Sequence, residues 1–316
     1  MKDSSSGKDV ANPGDVQIAL IGNPIGHSLS PAMHNALYAS LGESNWHFAG
    51  WHYAPVECAN EEEALKQIEL VRTGLYRGMN ITMPYKRLAC AQADYVDGAA
   101  DAAGGANVLV RRNEKLYAYN TDGLGAMGAI AREGGIDPRG KHVIICGTGP
   151  TSVAIACALA EAPAREVILF SRDYDRASST IDRLQLSLSE TGKRCLLRAA
   201  TYDIASRFIS GADIIVDATP RGMNAGDEAI IDTGLLHPGQ VMLDTVYAHG
   251  VTALIGGARD AGAIALDGLE MLVEQAALSV EIWIDALGLS ATVDRDIMRK
   301  AAVEELARRA GECAEG

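Results

Sequence analysis

Residues 141–160 read KHVIICGTGPTSVAIACALA: an aliphatic strand, a turn with glycine at 147 and 149, and an alanine-rich helix. An unbroken aliphatic run, rather than an alternating one, marks a strand buried on both faces, as in a parallel sheet. Gly147 permits a tight turn, and Gly149 lets backbone approach a pyrophosphate. The helix start then offers unpaired N–H groups and positive partial charge, which Pro150 and Thr151 would flank. The third position of such a turn, best filled by glycine or alanine, is Ser152. Strand, turn and helix together imply a dinucleotide site; a glycine turn in an empty α/β domain is the alternative.

Downstream the pattern stays regular. Strands are expected over 166–171, 194–199, 214–217 and 241–244, and helices over 177–188, 268–287 and 293–310. Alternating strands and helices imply a mainly parallel sheet covered on both faces. The tip of the second strand sets cofactor choice and reads Phe170-Ser171-Arg172-Asp173. Arg172 can pair with a ribose 2′-phosphate and stack on adenine, whereas an inward Asp173 would repel it. NADP is the expectation, with NAD as the alternative.

Upstream, 16–22 reads as a strand, Ser30-Pro31 as cap and first residue of a helix running to 41, and 46–53 as extended. A helix over 61–73 and a strand over 77–82 follow, and Pro84 begins another helix, with Lys86 in its first turn. Segments 107–112 and 115–119 flank Asn113-Glu114 as a tight hairpin. A helix over 123–132 ends at Gly134-Gly135, before a turn at 137–140 that marks a candidate domain boundary. The helix dipole opposes a cation at Lys86 by about 0.3–1 kcal/mol at an exposed site, so stability alone rarely selects it. Asp122 can cap the next helix, or orient Lys86 and accept a substrate hydroxyl. Spacing leaves both open.

The balance of 48% hydrophobic and 22% charged residues over 316 positions is that of a globular chain long enough for two domains. Acidic residues exceed basic ones, 41 to 28, so the net charge of -13 argues against nucleic acid and anionic membrane surfaces as partners. No apolar run reaches the ~20 residues of a membrane span. Residues 1–15 are too polar for a signal peptide and are expected to form a disordered tail. Six cysteines without a CxxC pair, and histidines (His27, His34, His52, His249) without ligand spacing, predict a reduced cytoplasmic protein with no metal. The histidines are expected in surface or packing roles.

Six segments, taken together and in order, closely resemble the shikimate dehydrogenase family. They are residues 22–35 (GNPIGHSLSPAMHN), 80–86 (NITMPYK), 105–108 (GANV), 120–123 (NTDG), 217–223 (DATPRGM) and 268–275 (GLEMLVEQ). The resemblance covers about residues 17–285. It implies an N-terminal α/β substrate domain, 16–122, completed by C-terminal helices in 267–316. Between them it implies a Rossmann-type NADP domain, 123–266. The implied activity is reversible NADPH-dependent reduction of 3-dehydroshikimate to shikimate, in aromatic amino-acid precursor synthesis.

By that resemblance Lys86 and Asp122 are the catalytic pair. Ser28, Ser30 and Thr82 would hold the substrate carboxylate, with Tyr247 as a further contact, and Asn107 and Gln275 would meet ring hydroxyls. Gly147, Gly149, Pro150, Thr151, Ser171, Arg172, Thr219, Met223 and Met271 would line the cofactor. The alternatives are a quinate or dual quinate/shikimate dehydrogenase using NAD or NADP, and a noncatalytic ligand-responsive binding protein on the same scaffold. Either a monomer or a homodimer fits. The chain departs from the family's usual Gly-Ala-Gly-Gly-Ala turn at Thr148, Pro150 and Thr151, and from its usual Asn-Arg-Thr or Asn-Arg-Ser at Ser171 and Asp173. The usual proline after the Val-Tyr segment is replaced around Ala248-His249-Gly250.

Overall fold

The computed structural model describes residues 18–192, 194–224 and 226–315. The expected tail and the first strand's start at Val16 lie outside the described residues. The first domain comprises β1 (Ile18–Gly22), α1 (Ser30–Ser44), β2 (Tyr53–Glu57), α2 (Glu61–Arg72), β3 (Gly78–Ile81), α3 (Lys86–Gln92), β4 (Tyr95–Val96), α4 (Gly98–Ala103), β5 (Val108–Arg112) and β6 (Lys115–Tyr119). Its sheet has the order β2-β1-β3-β5-β6-β4. β1 pairs in parallel with both β2 and β3, and β5 is antiparallel to β3 and β6. The β5–β6 hairpin turns through Asn113 and Glu114, both at positive φ, as a two-residue primed turn requires.

The second domain follows as α5 (Asp122–Arg132), β7 (His142–Cys146), α6 (Pro150–Glu161), β8 (Glu166–Ser171), α7 (Tyr174–Thr191), β9 (Leu196–Thr201), α8 (Ser206–Ile209), β10 (Ile214–Asp217), β11 (Val241–Asp244), α9 (Ala253–Asp260) and β12 (Ile264–Leu266). All pairings in its sheet are parallel, in the order β12-β11-β10-β7-β8-β9. That is the doubly wound Rossmann order, which reverses direction between β7 and β10. The strands are aliphatic throughout because helices cover both faces.

Two helices then return to the first domain, α10 (Gly268–Ala286) and α11 (Arg295–Glu315). α10 serves both cores. Met271 is buried with the second domain's aliphatic side chains, whereas Val273, Val280 and Trp283 join Ile18, Leu20 and Met33 in the first. Trp283 is fully buried, and its indole N–H donates to Leu109 O at 3.1 Å.

Several local expectations are corrected. The segment expected to be extended over 46–53 begins with a 3-10 turn at Trp46–Phe48, and the strand starts only at Tyr53. Ser30 is the first helical residue rather than the cap, which is Leu29. Pro84 lies before its helix, in a turn with a cis Met83–Pro84 peptide, so Tyr85 is the cap and Lys86 the first helical residue.

Candidate functional site

The topology brings the polar segments to one edge of the first sheet. β1 and β3 are parallel, so the chain leaving each, toward Ser28 and toward Thr82 and Lys86, emerges at the same end. β5 runs the other way, so Asn107 just before it lies at that end, and so does Asp122 just after β6. Thr82 sits directly at the tip of β3, its N–H on Ile21 O at 2.9 Å.

Lys86 Nζ and Asp122 Oδ2 lie 2.5 Å apart, with side chains 13% and 7% exposed, so this ion pair is largely withdrawn from water. The Asp122 side chain does not cap α5: Thr121 holds the cap position, and Asp122 N–H is taken by Asn120 Oδ1 at 2.9 Å. Asp122 Oδ1 instead accepts Asn107 Nδ2 at 2.9 Å. The same amide nitrogen lies 2.9 Å from Thr121 Oγ1 and 3.1 Å from Gln275 Oε1. Two N–H groups thus face three acceptors, which leaves acceptor capacity for the hydroxyl of a ligand. Thr121 Oγ1 donates to Gln275 O at 3.0 Å, tying α10 to the pair.

A second cluster lies at the same edge. Ser30 N–H donates to Ser28 Oγ at 3.2 Å, which leaves the Ser28 O–H free to donate elsewhere. Ser30 and Tyr247 both act on the hydroxyl of Tyr53, which donates to Asn80 Oδ1 at 2.9 Å; burial raises the pKa of both tyrosines. His34 stacks on Tyr53 at 4.1 Å, fully buried, and burial lowers its pKa to about 3, so it packs as a neutral ring. Among the described residues no cluster of three or more His, Cys, Asp or Glu could hold a metal, and no helix is long and apolar enough to cross a membrane.

The glycine turn sits at the reversal point of the second sheet. Gly147 has φ of +109°, and a Cβ there would lie 2.7 Å from Ser152 Oγ and 3.3 Å from Thr219 Cγ2. Gly149 is different: a Cβ at that position would meet nothing within 4 Å. The bare position therefore leaves open space beside the N-terminus of α6, the room a pyrophosphate needs. Pro150 is the first residue of α6, where its missing N–H costs the helix nothing. A Cβ on Gly105 of the first domain would come within 3.5 Å of Pro150 Cβ. Thr151 Oγ1 lies 3.3 Å from Asp122 Oδ2. The turn thus abuts the ion pair directly.

Ser171, buried at the tip of β8, accepts Asp173 N–H at 3.1 Å, and Asp173 Oδ1 caps α7 by accepting Arg176 N–H at 3.1 Å. Arg172 and Met223 are exposed. Met271 is buried in the core and stands apart from this exposed rim. Asn80, Thr121 and Tyr53 join the site without a role predictable from the sequence. Asn80 and Thr121 lie inside the polar segments that drew attention, but Tyr53 is signalled by nothing local.

The shikimate dehydrogenase substrate-binding domain model matches residues 20–109. The chain is 37% identical to shikimate dehydrogenase (NADP(+)) of Rubrobacter xylanophilus, over 84% of this chain and 89% of that one. It is 32% identical to that of Methanopyrus kandleri, over 92% and 95%. The chain belongs to the shikimate dehydrogenase family. Among solved structures, shikimate 5-dehydrogenase from Listeria monocytogenes in complex with shikimate and NAD superposes with a TM-score of 0.78 at 28% identity, covering 91% of this chain and 96% of that chain. As a member of the shikimate dehydrogenase family the chain is an oxidoreductase of the shikimate/quinate dehydrogenase type, and its second domain has the dinucleotide-binding fold of that family.

Proposed function

We propose that this enzyme catalyses the reversible NADP-dependent interconversion of 3-dehydroshikimate and shikimate. The observation that carries the reading is the Lys86–Asp122 pair at 2.5 Å, set between the serine loop and the glycine turn. A carboxylate held by Ser28, Ser30 and Thr82 would direct the ring toward Lys86, with ring hydroxyls meeting Asn107 and Gln275. Gly147, Gly149, Thr151 and Thr219 would hold the cofactor. When bound, the reduced nicotinamide supplies the hydride to the ketone carbon. Lys86 meets the charge that develops on the carbonyl oxygen and gives it a proton; solvent then reprotonates the amine. Asp122 fixes the lysine at that position and accepts from a neighbouring ring hydroxyl. NADP rather than NAD is supported by the strand tip, where the Asp173 carboxylate is turned to the first turn of α7 and accepts Arg176 N–H, while Arg172 stands exposed beside it.

The test is initial-rate absorbance of the reduced nicotinamide, crossing shikimate and quinate with NADP+ and NAD+. Turnover confined to shikimate with NADP+ is expected. A preference for quinate or for NAD+ would replace this reading, NAD being the cofactor in the Listeria complex. Ligand binding without turnover would mark a noncatalytic relative.

A further inference from the structure

Resting on that substrate reading, we propose that Arg309, in the C-terminal helix α11, is a positioning residue that sets affinity for the substrate carboxylate. α11 lies beyond all the motif segments and packs on α1 and α10. Arg309 Nη1 donates to His27 O at 2.7 Å and Nη2 to Ser28 O at 3.0 Å, while Nε donates to Glu305 Oε1 at 2.7 Å. A planar guanidinium with three of its N–H directions occupied has little freedom, and it links two successive carbonyls of the serine loop.

The consequence is electrostatic as well as geometric. A carbonyl oxygen facing the pocket would repel a carboxylate. With His27 O and Ser28 O engaged by Arg309, and Ser28 Oγ accepting Ser30 N–H, the loop offers the Ser28 O–H as a donor. The guanidinium also places positive charge behind the loop in a chain of net charge -13. Its reach extends to the other domain, where Arg309 opposes the burial-driven rise of the Tyr247 pKa. Glu305 offsets only part of that charge, because Arg308 and Arg309 both donate to it and hold its carboxyl down at about 2. Lys86, the cation at the other end of the site, is already paired with Asp122.

The test compares wild type with Arg309→Ala and with Arg309→Gln, which keeps a donor and helix propensity should the alanine variant fold poorly. Shikimate and its methyl ester are assayed with NADP+. In both variants the shikimate KM should rise about tenfold, the loss of roughly one charge-assisted hydrogen bond, with kcat within about twofold. The ester KM and the NADP+ KM should move less than about twofold, since neither depends on a full negative charge at the loop. An unchanged shikimate KM, equal shifts for acid and ester, or a loss confined to kcat overturns the inference. Calorimetric titration of shikimate into the protein without cofactor, where no turnover can occur, separates this inference from the reaction it rests on. Arg309-dependent binding without turnover keeps the inference and sinks the proposed reaction, whereas wild type that binds no shikimate sinks both.

Discussion

Thr151, in the first turn of the second domain's α6, points its hydroxyl at Asp122 of the first sheet's polar edge, 3.3 Å from the oxygen that also receives Lys86. The helix after the glycine turn and Lys86 therefore meet at one oxygen of Asp122. Replacing Thr151 with Val keeps the shape and removes the donor. A neutral-to-charged hydrogen bond this long is worth about 0.5–1.5 kcal/mol, so kcat should fall about two- to tenfold with shikimate KM little changed. A steady-state split in the opposite sense, KM rising at constant kcat, would assign Thr151 to binding alone.

Lys86 carries a larger effect. If Lys86 is the proton donor proposed above, its removal leaves the developing oxyanion without one, and kcat in Lys86→Ala should drop by about 10²–10⁴-fold. Cofactor affinity, measured by quenching of protein fluorescence, should stay within a few-fold because Gly147, Gly149 and Arg172 are untouched. Turnover near that of wild type would remove Lys86 from the chemistry.

Gly123 predicts a packing failure rather than a chemical one. A Cβ there would lie 2.3 Å from Ala154 O, so the α5 and α6 backbones meet at this residue, next to Asp122. Gly123→Ala must push the helices apart, at a cost of about 1–3 kcal/mol. Both Tm and kcat should fall. If Tm falls and kcat does not, Asp122 tolerates the displacement and the tight packing serves stability only.

Asp217 makes stability depend on pH. It is the register partner of Asp244 on the neighbouring strand, and both side chains are buried. Burial, with the Asp244 charge adding to it, raises the Asp217 pKa from 3.8 to about 7, although the Thr219 N–H and Arg221 oppose the rise. The folded state thus keeps a proton that the unfolded chain releases. The favourable contribution is complete below pH ~4 and is lost as pH climbs to ~7, on the order of a few kcal/mol. Asp217→Asn preserves an acceptor for Thr219 and does not titrate. Its Tm should match wild type near pH 3–4 and exceed it at pH 8; a gap that does not change with pH rejects the argument.

How much of this could be read from the chain depended on burial pattern. β7, β8, β10 and β11 are unbroken aliphatic runs, and such runs have few other uses. β2 carries no clear strand signal because Pro55 interrupts Tyr53–Glu57, which is tolerable only because that strand is at the sheet's edge. β12 spans three residues, and α9 contains Gly256-Gly257, so neither carries a periodic signal. Lys86 and Asp122 were both visible as polar residues at element ends, but their 2.5 Å contact needs the strand order that brings the two ends together. Arg309 was illegible for a plainer reason: it acts on backbone carbonyls 281 and 282 residues away, and carbonyls have no sequence signature.

Arg172 and Asp173 are adjacent charges of opposite sign, and the structure separates their work. Asp173 caps α7, so Asp173→Ala should cost about 1 kcal/mol in stability and leave the ratio of NADP+ to NAD+ use nearly unchanged. Arg172, exposed at the strand tip, is free to meet a 2′-phosphate. Its replacement by Ala should raise the NADP+ KM by about tenfold or more, the scale of a lost charge-assisted hydrogen bond, while the NAD+ KM stays put because NAD+ has no phosphate there. Equal losses with both cofactors would mean that Arg172 stacks on the adenine instead, a contact the two dinucleotides share.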